Sequence, residues 1–216
     1  MKFIAGNLYH IYNQGNNRQP IFSCPEDYLT FLREIRMCIY PYAEFIAYCL
    51  MPNHFHFLVY VDNRVEERIK HGGLIIDPLT NGIRKLLSGY TRIFNKRYGF
   101  SGSRFRQKTK TKCLSDLAVH THLKFIIQDH CVNCFHYIHQ NPLKAKLVIR
   151  LEDWEYSSFK DYAGLRNGTL CNRELAIRHC NYQKENFIAE SYQIIDEGIG
   201  NIFVSYWSDR DGQTRE

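Results

Sequence analysis

Two apolar, β-rich runs separated by three residues constrain this chain more than any other feature. Ala43 to Leu50 and His54 to Val61 flank Met51-Pro52-Asn53, and Pro followed by Asn is turn chemistry, so the pair predicts two strands joined by a tight connection. Upstream, Phe3 to Asn13 contains Leu8-Tyr9-His10-Ile11-Tyr12 and reads as a first strand, ended by the turn-rich Asn13-Gln14-Gly15-Asn16-Asn17. Ser23-Cys24-Pro25-Glu26-Asp27 then offers a cap, an early Pro and an acidic first turn to a helix with Tyr28, Phe31, Leu32, Ile35 and Cys38 at helical spacing. Beyond the two strands, Asp62 to Pro78 reads as a polar, Gly-containing loop. Ile83, Leu86, Leu87, Tyr90, Ile93, Phe94 and Tyr98 mark a second helix closed by Gly99. A basic strand follows from about Arg106 to Leu114, with Lys108, Lys110 and Lys112 sharing one face.

The order strand-helix-strand-strand-helix-strand predicts an α+β fold, a ferredoxin-like split βαβ sandwich with an antiparallel-rich sheet. Asp129 is a cap candidate for a short helix from His130 to about Gln140, ended by Asn141-Pro142 because Pro cannot continue a helix. Arg173 to Ile195 reads as helical and the last fifteen residues as a tail. At 216 residues the chain is about one and a half typical domains, which fits a domain over residues 1–150 and a C-terminal helical extension over 151–216. Apolar runs such as Phe55 to Val61 fall far short of the ~18 residues of a membrane span, and the N-terminus lacks a secretory signal, so a cytoplasmic protein with no membrane partner is expected.

The formal charge of +6 conceals an uneven distribution. From Pro78 to Ser115 there is no acidic residue, while ten Lys and Arg side chains lie there, leaving 18 basic against 22 acidic residues elsewhere. Tyr90, Phe94, Tyr98, Phe100 and Phe105 interleave with those cations, a pattern suited to phosphate attraction plus stacking on unpaired bases. A solvated helix face followed by a basic strand is the competing reading. Of eight cysteines, Cys131 and Cys134 form the one C-x-x-C, with no second pair at zinc-ribbon distance, so reduced thiols acting as small buried hydrophobes are expected.

Two His-x-His spacings occur. His120 and His122 fall in a run with helical spacing, where positions two apart point away from each other. His54 and His56 fall in a strand, so both imidazoles point to one face and are able to grip one ion, or else pack as ordinary sheet histidines. Tyr137 and Asn141 are four apart, one turn of a helix. A phenol beside a divalent ion is a competent nucleophile toward a phosphodiester, and an amide oxygen completes a His-His-amide set suited to magnesium or manganese. From spacing alone, Tyr137, one of 15 tyrosines, reads more readily as a core aromatic than as a nucleophile.

The run Ala47-Tyr48-Cys49-Leu50-Met51-Pro52-Asn53-His54-Phe55-His56-Phe57-Leu58-Val59, with Tyr137-Ile138-His139-Gln140-Asn141-Pro142-Leu143-Lys144-Ala145, resembles the single-tyrosine HUH transposases, and among them the REP-associated tyrosine transposases. Asn13 to Arg18, Arg104-Phe105 and Trp154 to Phe159 add to the resemblance. It implies an HUH endonuclease type of fold and a metal-dependent transposase that cleaves and rejoins single-stranded or hairpin-bearing DNA through a 5′-phosphotyrosine. Under it, His54, His56 and Asn141 hold a divalent ion, Mg2+ or Mn2+, and Tyr137 is the nucleophile. Arg18, Arg104, Arg106, Lys108 and Lys144 are candidate DNA contacts, and the protein works as a monomer or homodimer. Two other classes fit the same residues: a domesticated hairpin-DNA-binding protein that no longer transposes, and a His-x-His metal hydrolase of small phosphoesters.

Overall fold

The computed structural model describes residues 1–115 and 124–193. Its main sheet has four strands, β1 (Asn7–Gln14), β2 (Glu44–Met51), β3 (His54–Val61) and, after two short strands β4 (Ile69–His71) and β5 (Leu74–Ile76), the edge strand β6 (Lys110–Cys113). The order across the sheet is β2-β3-β1-β6 and every pairing is antiparallel. The expected hairpin forms in the expected place: Met51 pairs with His54, so Pro52 and Asn53 are the whole turn. Between the strands run α1 (Pro25–Cys38) and α2 (Pro78–Tyr98), and after β6 come α3 (Lys124–Lys144), α4 (Phe159–Tyr162), α5 (Arg173–Cys180) and α6 (Phe187–Gln193).

The two-residue period of the strands sorts their side chains into two cores. Tyr9, Ile11, Tyr48, Leu50, Phe55, Phe57 and Val59 face one way and pack with Phe31, Ile35, Ile83, Leu86, Tyr90 and Phe94 of α1 and α2. Leu8, Cys49, Met51 and Leu58 face the other way and pack with Cys131, Cys134, Phe135 and Ile138 of α3. The sheet is therefore sandwiched, α1 and α2 on one face and α3 on the other. Gly82 permits the close approach of α1 and α2, since a Cβ there would sit 2.0 Å from the Cys38 carbonyl oxygen.

Local chemistry sets the helix ends. Cys24 caps α1, and Asp27 Oδ2 accepts from the backbone N–H of Ser23 at 2.8 Å. Asp77 Oδ1 accepts from Thr80 N–H at 2.7 Å, and Gly99 ends α2 with φ 69°. The described part of the 151–216 segment joins the second core through Leu151, Phe159, Tyr162, Leu175 and Phe187. It also borders β2, where Leu50 N–H donates to the Tyr156 carbonyl at 2.8 Å and Ser158 N–H to that of Tyr48 at 3.0 Å. Arg166 ties this segment down, donating to Asp161 (2.6 Å), the Glu155 carbonyl (2.7 Å) and the Tyr48 hydroxyl (3.0 Å).

Several expectations are corrected. The supposed loop over 62–78 contains the β4–β5 hairpin, because Gly72-Gly73, with Gly72 at φ 58°, makes a two-residue turn between His71 and Leu74. The basic strand is confined to Lys110–Cys113; Arg106 N–H instead bonds the Gln14 carbonyl at 2.8 Å, just off the end of β1. The tyrosine helix starts at Lys124, which places Asp129 inside it, and continues through Pro142 to Lys144. The helix expected over 173–195 is two helices, parted where Asn181 adopts φ 51°. Tyr90, Phe94 and Phe105 lie at most 3% exposed in the first core, so they hold the fold together and do not stack on bases. His120, His122 and the C-terminal tail lie outside the described residues.

Candidate active site

Strand β3 alternates, so Phe55 enters the first core while His54 and His56 stand together on the face covered by α3. Their ring centroids are 5.0 Å apart with the planes 88° to each other. His56 is fully buried and His54 half-buried. Each has a hydrogen-bonding partner at Nδ1. His54 Nδ1 donates to Asn53 Oδ1 at 2.6 Å, which leaves a lone pair on Nε2, and Asn141 is a further polar neighbour of the ring. His56 Nδ1 lies 2.9 Å from Nε2 of His10, a neighbour on β1 that stacks on it at 5.1 Å.

On α3, Cys131, Cys134, Phe135 and Ile138 recur at helical spacing and anchor the helix to the sheet. That stripe orients the neighbouring positions. The Tyr137 ring, 7% exposed, lies 5.6 Å from His56 and 6.2 Å from His10, edge-on to both. Asn141 sits one turn later, and Pro142 accounts for one of the two backbone contacts of its amide. Proline has no N–H for the Ile138 carbonyl four residues back. Asn141 Nδ2 turns onto the helix instead, donating to the carbonyls of Tyr137 at 2.8 Å and Ile138 at 3.4 Å. With its nitrogen held on the backbone, the amide presents oxygen away from the helix. The expectation that Pro142 ends the helix fails for the same reason: the neighbouring amide absorbs part of the cost.

This makes a specific prediction. Pro142→Ala restores an N–H for Ile138, displaces the longer of the two Asn141 amide contacts, and lowers Mn2+ affinity measured by calorimetry by about threefold. The melting temperature holds or rises, because a helical Pro costs up to ~3 kcal/mol and outweighs the lost ring burial. Unchanged Mn2+ affinity in a folded variant would refute the link.

His54, Tyr137, Asn141 and Arg18 line one open pocket of about 600 Å3, floored by Met51 and Gln14. Lys144 is exposed and its Nζ lies 5.4 Å from the centre of the Tyr137 ring, where partial desolvation lowers its pKa. The other three proposed contacts lie elsewhere. Arg104 stacks 4.6 Å from the centres of both Phe94 and Phe100 and donates to the Pro20 carbonyl at 3.0 Å, so its guanidinium secures a loop. Arg106 lines a second pocket, and Lys108 is exposed just ahead of β6. The cations of α2 ride on the helix layer behind the sheet, whereas Lys110 and Lys112 of β6 pair with Tyr12 and His10 on the histidine side. The sequence gives His10, Asn53 and Gln14 no role at the site and Lys112 only a place on the basic strand; the alternation around His10 is visible there, its partner strand is not.

Burial keeps these imidazoles neutral. It holds His54 down at about 4, with the Asn141 bond pulling the other way, and holds His10 down at about 3 with help from the Lys112 charge. His56 is pushed well below the ordinary value by burial and by its two histidine neighbours, and His136, deep in α3, to about 4 by burial. Each folded-state pKa lies below the unfolded ~6.5, so the stability these groups contribute is full above pH ~6.5 and is lost as the pH falls toward 4. Denaturant midpoints should thus be level from pH 7 to 8 and drop progressively between pH 6.5 and 4. A midpoint that rises over that acid range would contradict it.

The donor set fits a divalent ion. Neutral imidazole is the ligating form of histidine, and the His10 bond to His56 is the outer-partner arrangement that orients a ligating ring. Among the described residues no three His, Cys, Asp or Glu side chains form a group able to hold a metal ion, and the polar side chain that lines the pocket with His54 is the Asn141 amide. All eight cysteines are free thiols, four of them buried. No helix among the described residues is long and apolar enough to cross a membrane.

No protein-family model matches the chain, and no curated protein does. It is similar to a solved structure of a REP-associated tyrosine transposase bound to a REP hairpin, at 14% identity and a TM-score of 0.48, over 80% of this chain and 95% of that one. A likeness of that size assigns no residue and no activity.

Proposed function

We propose that this protein is a DNA strand transferase of the HUH type, which cleaves and rejoins single-stranded or hairpin-bearing DNA with Tyr137 as nucleophile. The observation that carries the reading is the meeting, in one open pocket, of Tyr137 and Asn141 from α3 with His54 from β3, with His56 against the tyrosine ring. The antiparallel order β2-β3-β1-β6 with α1 and α2 on one face supports the ferredoxin-like split βαβ form of that fold.

His54, His56 and Asn141 would hold Mg2+ or Mn2+, which when bound polarises a phosphodiester and stabilises charge developing on its oxygens. The chain's own groups do the rest. His10 and Asn53 fix the two imidazoles, and the backbone contacts of the Asn141 amide turn its oxygen outward. The phenol oxygen of Tyr137 attacks phosphorus and the bond to the 3′ oxygen breaks. The products are a 5′-phosphotyrosine and a 3′-hydroxyl that carries the proton lost by the phenol. Reversal by another 3′-hydroxyl rejoins the strand without a nucleoside triphosphate. Arg18 and Lys144 flank the tyrosine and are suited to the phosphates on either side. The test is a covalent protein–oligonucleotide adduct that requires Mg2+ or Mn2+; tight DNA binding with no adduct would favour a binding protein instead.

A further inference from the structure

Behind the candidate active site, the segment 103–109 and helix α2 enclose a second open pocket of about 430 Å3. Its apolar lining includes buried Ile83 and Phe105 and half-buried Leu87, and its cations are Arg84 and Arg106. No carboxylate lines it, and it lies within the acid-free stretch from Pro78 to Ser115. An apolar surface for a flat ring beside two guanidinium groups matches a nucleobase and its phosphate. Lysine-rich surface alone would attract phosphates without offering the ring a place.

The two pockets are backbone neighbours. Arg106 N–H bonds the carbonyl of Gln14, which lines the tyrosine pocket, and Phe105 bridges to Gly15 next to it. They are thus separated by little more than the end of β1 and one inter-strand spacing of ~4.8 Å. Lys110 and Lys112 of edge strand β6, which starts just after this segment, stand on the tyrosine side.

We propose that the pocket between α2 and residues 103–109 binds one unpaired nucleotide of the strand whose phosphate lies at Tyr137, its base against the half-buried Leu87 and its phosphate on Arg84 and Arg106. The site gives the α2 side of the basic block a task that Tyr137 itself does not require. It rests on the strand-transferase reading for the identity of the ligand as DNA.

The full chain is photo-crosslinked in EDTA to a single-stranded oligonucleotide carrying 5-iodouracil, and titrated with the same oligonucleotide over a range of salt. Crosslinked peptides covering 83–91 or 103–109 are expected. The double variant Arg84→Gln/Arg106→Gln should bind at least tenfold more weakly, and its log K against log salt should be shallower by about 0.7 per lost phosphate contact. A melting curve matching wild type certifies its fold. Wild-type binding that is tight, unchanged in the variant and crosslinked elsewhere would overturn the pocket while leaving the strand-transferase reading intact. No single-stranded DNA binding by the wild type would overturn both, and loss of RNA but not DNA binding in the variant would overturn the assignment to DNA.

Discussion

Tyr137→Phe removes a single oxygen and should abolish the covalent adduct, a loss of about 10^3-fold or more because no other group replaces the nucleophile. Binding of the same oligonucleotide should stay within about twofold, since the ring and its contacts with His56 and His10 persist. Tyr12 makes the comparison informative. It stands on the same sheet face with its ring 5.7 Å from that of His56, yet does not line the pocket. Tyr12→Phe should retain the adduct. Denaturing electrophoresis of both variants with a labelled strand separates the possibilities, and an adduct lost in Tyr12→Phe but kept in Tyr137→Phe would transfer the role.

The second large effect concerns the histidines, and the two should differ in kind. His54 is half-buried at the pocket wall, so His54→Ala should reduce adduct formation by about 10^2-fold or more and cut Mn2+ affinity, with little change in stability. His56 is fully buried and bonded to His10. His56→Ala should abolish the same activity and also destabilise the fold by about 2–4 kcal/mol, through a cavity and an orphaned His10 ring. Calorimetric titration with Mn2+ and denaturant melts read the two consequences apart. Full activity in a folded His54→Ala variant would remove the histidine pair from the site.

What the sequence disclosed follows the range of the forces involved. The β2–β3 hairpin was legible because alternation and the Pro52-Asn53 turn are local, and with it came the shared face of His54 and His56. The β4–β5 hairpin was hidden by strands of three residues, too short to show a period. Pro142 reads as a helix end in the sequence because part of the compensation comes from the side chain of Asn141, which single-residue propensity does not register. Tyr90 and Phe94 interleave with cations, the pattern of base-stacking residues, yet the same helical period lays them along the stripe that meets α1. His10 was missed because its partner is fixed by the pairing of β1 with β3, a contact 46 residues apart in the chain. The charge block was visible at once, but not that the sheet divides it, with α2 behind and β6 in front.

The central claim is that Tyr137 becomes covalently joined to DNA. The direct measurement is to incubate the protein with single-stranded DNA from the flanks of its own gene in Mn2+, digest adduct and protein, and map the modified peptide by mass spectrometry. A nucleotide attached through a 5′-phosphate to Tyr137, on a peptide from α3, is the expected result. A 5′-phosphate on any other residue, or cleavage of the strand with no covalent peptide at any time, would contradict it.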